Sequence, residues 1–267
     1  MRKGVKSYIE PTKFCILIQD INKPVTLGDF FRQFNSNPKW GLHLFFILLQ
    51  IYLPLGKLMD NFTHNDLHNG NILLYELPTN EYVEMEYDLE DGSIIKFSTQ
   101  YIVKIIDYGR CYFKRDNSCS SQVFFDALQN AVQTKLIKNK DKVVQLQNRG
   151  YTWFDSLNKS TYYISSYYGN NARDLTTLTK IWLLRNEIKS LLNENYIYDL
   201  IESVEKLIRK TIRDPEGGVL NETIVFKPSA SINVRTFSNS LIGIFESNRI
   251  DIENLIDTNF TGKNEET

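Results

Sequence analysis

The sequence predicts an α+β protein, and three observations carry that expectation. Short apolar runs bounded by turn residues, the signature of strands, fall within the first ~110 residues. Longer stretches with helical periodicity, residues 121–137, 172–192 and 196–212, follow them. The composition, 42% apolar and 24% charged over 267 residues, is that of a globular chain able to bury a core.

In chain order, "KFCILIQDI" (13–21) reads as a short buried strand that "NKPV" breaks. Thr26 is placed to cap a short helix over "TLGDFFRQF", and "NSNPKW" is a turn. An apolar helix from Leu42 to Met59 comes next. It is the only stretch apolar enough to suggest a membrane span, but Gln50, Pro54 and Lys57 interrupt it, so a buried helix is expected. "NILLYEL" reads as a strand. "EYVEMEYD" and "SIIKFST" alternate across an acidic turn ending in Gly92, which predicts a hairpin. "YIVKIIDYG" reads as a further buried strand stopped by Gly109. Strands are expected to end there and helices to dominate the rest.

With 31 basic and 32 acidic side chains, the net charge of −1 supplies no long-range field for nucleic acid or an anionic membrane. Cys15, Cys111 and Cys119 are odd in number and lack metal-ligand spacing, which points to a reducing, cytoplasmic setting. The start, "MRKGVKSYIEPTKF", has no apolar core of the kind a signal peptide needs.

The stretch "FTHNDLHNGNILL" (62–74) carries two of the three histidines around an aspartate. Three chemistries fit it. In an extended segment His64, Asp66 and His68 share a face and could converge on a metal. In an ordinary polar turn, Asp66 and Asn71 would bond local backbone. In phosphoryl transfer, an aspartate orients the attacking hydroxyl and takes its proton, while oxygen ligands hold Mg²⁺ on the nucleotide phosphates. Asp66 and Asn71, four residues between them, supply a base and a neutral metal ligand. "KIIDYGR" adds a second carboxylate, Asp107, at the end of a strand, with Tyr108 able to pack there and Gly109 able to turn the chain.

"HNDLHNGN" and "DYG" together, in this order and each beside a strand, resemble the catalytic loop and the Asp-Phe-Gly motif of the protein-kinase superfamily. The resemblance implies a protein-kinase-like fold, mostly helical, with a short hinge strand and small β elements around the catalytic loop. It implies ATP and Mg²⁺ as cofactors and a protein Ser/Thr hydroxyl as acceptor. Asp66 would be the base, Asn71 and Asp107 the metal ligands, and His64 a brace of the loop. Gln19, Asp20 and Ile21 would form the hinge that pairs with adenine. Asp174, in "NARDLTTL", sits where such folds place an aspartate bracing the loop backbone; an acid favoured by a helix N-terminus is the rival account.

The departures from the family pattern are informative. About a dozen residues precede the hinge strand, so the Gly-rich loop and the strand lysine have no room; a gene fragment, a mis-predicted start, a pseudokinase, or a partner chain supplying that lobe are the accounts left open. Residues 1–22 are accordingly expected to be the remnant of that lobe, 23–260 the catalytic lobe and 261–267 a frayed tail. Asn65 replaces the arginine that pairs with a phosphorylated activation loop, so activity without such a phosphate is expected. His68 stands where Ser/Thr kinases carry lysine, as in haspin-like and small-molecule kinases. No Ala-Pro-Glu follows, and a hairpin separates the two motifs. The chain looks most like the divergent kinases of large DNA viruses, and its 25 Asn, 15 Tyr and 16 Phe suit an AT-rich genome; a viral protein would lie in host cytoplasm or the virion. The rival functions are a small-molecule kinase of the aminoglycoside or choline type and a pseudokinase or binding lobe.

Overall fold

The computed structural model describes residues 24–32, 40–79, 81–108, 111–115, 118–119, 143–147, 150–155, 160–165, 172–175, 177–178, 181, 198–212, 233–249 and 252. It is a mixed α and β structure of small antiparallel sheets and few helices. The expected hinge strand over 13–21, the helix over 121–137 and the tail 261–267 lie outside the described residues.

The chain enters through β1 (Val25–Thr26) and α1 (Leu27–Arg32). Thr26 caps α1: its Oγ1 accepts from the Asp29 N–H at 3.0 Å and donates to Asp29 Oδ2 at 2.6 Å. Helix α2 (Trp40–Leu58) is the centre of the molecule, with 16 of its 19 residues buried. It is long and apolar enough to cross a membrane, yet protein surrounds it on every side. Phe30 stacks on Trp40 at 5.5 Å on one flank. Phe46 stacks on Phe97 at 4.7 Å on another, and Tyr52 meets Phe237 edge-on at 4.8 Å on a third. Each such aromatic or aliphatic side chain contributes ~1.5–3 kcal/mol by burial.

After β2 (Phe62–Thr63) comes the polar loop, then β3 (Ile72–Glu76), the hairpin β4 (Val83–Asp88) and β5 (Ile94–Thr99), and β6 (Tyr101–Ile105). Gly92 takes φ +84° in the hairpin turn, as its place after Leu-Glu-Asp predicts. Strand β3 lies between β1 and β6, with Ile72 opposite Ile105 and Leu74 opposite Val103. Strand β6 is half-buried along its length, not buried as its composition suggested. Gln50, the polar residue inside α2, explains how that edge is fixed. Its Nε2 donates to the Tyr101 carbonyl at 2.9 Å, and its Oε1 accepts from the Val103 N–H at 3.0 Å.

The expectation that strands end near residue 110 is corrected. β7 (Tyr112–Arg115) pairs with β2 and with β8 (Ser118–Cys119). β9 (Val143–Gln147), β10 (Gly150–Asp155) and β11 (Ser160–Ser165) form an antiparallel meander. Their sequences, "VVQLQ", "GYTWFD" and "STYYIS", are rich in the β-branched and aromatic types that strands favour, and the turn residues between them permit reversal. The structure also adds a helix the periodicity did not single out. The segment from Tyr198 to Ile212 (α3) is helical as expected, and α4 (Val234–Ser247) follows. A reciprocal cap starts α4: Asn233 accepts from the Thr236 N–H at 3.0 Å, and Thr236 Oγ1 accepts from the Asn233 N–H at 2.9 Å.

Helices α2 and α4 approach closely at Gly56, where an added Cβ would lie 2.8 Å from Ser238 Cβ. Gly56→Ala should therefore destabilise: overpacking costs ~1–3 kcal/mol, more than the ~1 kcal/mol gained in helix propensity. Gly243→Ala, facing open space on α4, should stabilise by ~0.5–1 kcal/mol. Denaturant unfolding of the two variants distinguishes these opposite signs.

Candidate active site

The candidate site is built at one end of the β3–β6 pair. Asn71 immediately precedes β3, and Ile106 immediately follows β6; the Ile106 N–H donates to the Asn71 carbonyl at 2.9 Å. That bond extends the ladder by one rung and sets Asp107 next to the loop that begins at His64. β2 and β7 close the other side, with Thr63 opposite Tyr112. The strand before the loop and the strand after Asp-Tyr-Gly are thus paired.

Within the loop, the backbone is fixed from below by Asp174. Its Oδ2 accepts the His64 N–H at 2.7 Å, and its Oδ1 accepts the Asn65 N–H at 2.9 Å. Asp174 is 1% exposed and sits in a short 3₁₀ turn (Arg173–Leu175). Burial pushes its carboxyl upward, against the opposing pull of His64, the two N–H bonds and the neighbouring Arg173. Thr177, one turn on, donates from Oγ1 to the Leu67 carbonyl at 2.6 Å. Tyr52 of α2 donates to the Asp174 carbonyl at 3.2 Å. Loop, 3₁₀ turn and central helix form one hydrogen-bonded unit.

Two residues of the site are held at positive φ, Asn65 at 63° and Asp107 at 62°. Outside glycine, Asn and Asp are the types that tolerate this region best. At Asn65 this conformation is held by the buried Asp174 carboxylate, which accepts the Asn65 N–H.

The site residues named from sequence are distributed as follows. The His64 ring is fully buried, with Nε2 2.9 Å from the Ile106 carbonyl, and Tyr108 lies 5.5 Å from it, ring to ring. His64 thereby ties the loop to the residue before Asp107. His68 is exposed, and its Nδ1 accepts from the Gly70 N–H at 3.1 Å. The two imidazoles therefore point apart, one into the core and one into solvent. The reading of His64, Asp66 and His68 as a three-ligand metal site is corrected on that geometry. Among the described residues no group of three or more His, Cys, Asp or Glu side chains gathers to hold a metal.

Asn71, itself buried, donates from Nδ2 to the Asp66 carbonyl at 2.9 Å, which fixes its amide and leaves Oδ1 with acceptor capacity. The Asp107 carboxylate is exposed and has no partner among the described residues. An amide oxygen and a carboxylate, both oxygen donors and both at the same strand ends, suit a hard cation such as Mg²⁺ completed by phosphate oxygens. Gln19, Asp20 and Ile21 lie outside the described residues.

Cys111 is a site neighbour that the sequence did not mark. Burial, reinforced by the charges of Asp174, Asp107 and Asp66, raises its thiol far above the usual range, so it stays protonated and unreactive at neutral pH. Tyr108 is 58% exposed, and its hydroxyl donates to the Ile105 carbonyl at 2.8 Å.

No family model, curated protein or solved structure matches this chain.

Asp174→Ala strips two buried N–H groups of their acceptor, at ~1–3 kcal/mol each. A loss of ~2–5 kcal/mol in unfolding free energy is expected. Asp60→Ala, which removes an exposed ion pair with Arg235, should cost less than ~1 kcal/mol. Equal losses in the two variants would contradict the bracing role.

Proposed function

We propose that the chain is a protein-kinase-like phosphotransferase that moves the γ-phosphoryl group of ATP to a protein Ser or Thr hydroxyl. One observation carries this reading. Asp66, Asn71 and Asp107 are brought to the same end of a strand pair, on a loop whose backbone Asp174 holds from beneath. A loop serving only as a connection has no need of a buried carboxylate accepting two of its backbone N–H groups.

In this reading Asp66 orients the acceptor hydroxyl and takes its proton. Asn71 Oδ1 and Asp107 would hold a magnesium ion, which when bound would supply charge neutralisation to the transferring phosphate. With Nδ1 accepting from the Gly70 N–H, His68 presents its Nε2–H as a donor two residues beyond Asp66. His64 transmits the position of the loop to Asp107 through the Ile106 carbonyl. Asn65 brings no charge to the loop, so the site works without a phosphate between residues 109 and 174.

Phosphate transfer from radiolabelled ATP to Ser/Thr peptides tests the assignment. Asp66→Asn should lower turnover by ~10²–10⁴ and leave Mg²⁺–ATP binding unchanged. Asp107→Ala should weaken ATP binding measured with Mg²⁺ and leave metal-free binding unaltered, by calorimetry. Equal losses with and without Mg²⁺ would remove Asp107 from the metal site. Transfer to aminoglycosides or choline, with none to peptides, would replace the protein acceptor by a small molecule.

A further inference from the structure

A cavity of about 610 Å³ lies between the C-terminal turns of α2, the acidic arm of the β4–β5 hairpin and helix α4, with no lining residue from the loop over 62–74. Its volume is in the range of sites that take several side chains of a ligand. Leu53, Tyr87, Leu89 and Ile242 give it an apolar floor. Consecutive residues from Glu86 to Asp91 line one wall. Among the described residues strand β4 pairs only with β5, and no described strand lies along its other edge.

The charges on the rim are unequal. Glu86, Asp88, Glu90 and Asp91 stand against Lys57 and Arg235. Arg235 is already committed, with Nη2 2.8 Å from Asp60 and 3.5 Å from Glu90. Lys57 donates to the Asp88 backbone carbonyl at 3.3 Å, and among the described residues no ion pair joins it to the Asp88 carboxylate. Glu86 is paired with Lys96 at 2.6 Å. The Asp88 carboxylate has no partner among the described residues, and Asp91 uses only Oδ1, on Ser93. Rim carboxylates beside a hydrocarbon floor select an organic cation attached to an apolar group. A divalent ion is a poorer fit, because these carboxylates do not gather into a three-ligand cluster.

We propose that this cavity docks a short extended segment of a partner protein carrying arginine or lysine alternated with leucine or isoleucine. The segment runs beside β4, sets its apolar side chains on Leu89 and Ile242, and places its cations against Asp88 and Asp91. Alternation matches because successive side chains of an extended chain point to opposite sides. The proposal stands apart from the phosphotransferase reading, since docking is measured without turnover.

Fluorescence anisotropy with a labelled octapeptide of alternating arginine and leucine tests it on the full chain. Saturable binding is expected, weakened about tenfold by the paired neutral variants Asp88→Asn and Asp91→Asn. Leu89→Ala should weaken it severalfold, and a glutamate–leucine octapeptide should not bind. Amide-resolved NMR should show the arginine–leucine peptide shifting Tyr87, Leu89 and Ile242. Affinity unchanged in the double Asn variant, equal binding of the acidic peptide, or shifts confined to residues 64–71 would each overturn the proposal. Circular dichroism of the exposed Asn variants checks that they fold.

Discussion

Everything at the candidate site depends on one buried carboxylate accepting two backbone N–H groups. Asp174 lies over a hundred residues from His64 and Asn65 in sequence, and its two oxygens fix both. A buried carboxylate is costly unless its oxygens are satisfied, and buried N–H groups are costly unless accepted. Each side removes the other's penalty. The pairing holds Asn65 at positive φ, and from there the chain delivers Asp66, His68 and Asn71 in a fixed order.

A second set of bonds connects that loop to Asp107. The Ile106 residue is held twice, its N–H by the Asn71 carbonyl and its carbonyl by the His64 ring. Further back, Gln50 satisfies the outer edge of β6 from inside an otherwise apolar helix. A polar residue in that position would be a defect without partners. With them it sets the strand that ends next to Asp107. The central helix thus contributes to the site twice, through Gln50 on β6 and through Tyr52 on Asp174.

The loop itself was legible because its residue types are chemically unusual in so short a span, and Asp107 because it follows a strand and precedes Tyr-Gly. Asp174 was legible as a position, while its two bonds needed the fold. Helix α1 with its Thr26 cap and the β4–β5 hairpin followed from local turn and capping chemistry. The role of Gln50 was not legible, since its partners lie some fifty residues away on a strand edge and a lone Gln in an apolar helix reads as an interruption. The meander β9–β11 was missed because short strands after long helical windows carry little periodic signal. The divergent fates of His64 and His68 were also hidden, because equal spacing on an extended segment says nothing of which ring the core takes in.

The central claim is that residues 64–71 and Asp107 form one nucleotide–metal site. It is tested most directly by NMR of the chain with Mn²⁺ and a non-hydrolysable ATP analogue. Manganese replaces magnesium and broadens the resonances of nearby nuclei. The account predicts that adding Mn²⁺ with the nucleotide selectively broadens the Asn71 side-chain amide and the Asp107 backbone N–H, more than Mn²⁺ alone. Broadening confined to the acidic hairpin over residues 84–91, or the same pattern with and without nucleotide, would contradict it.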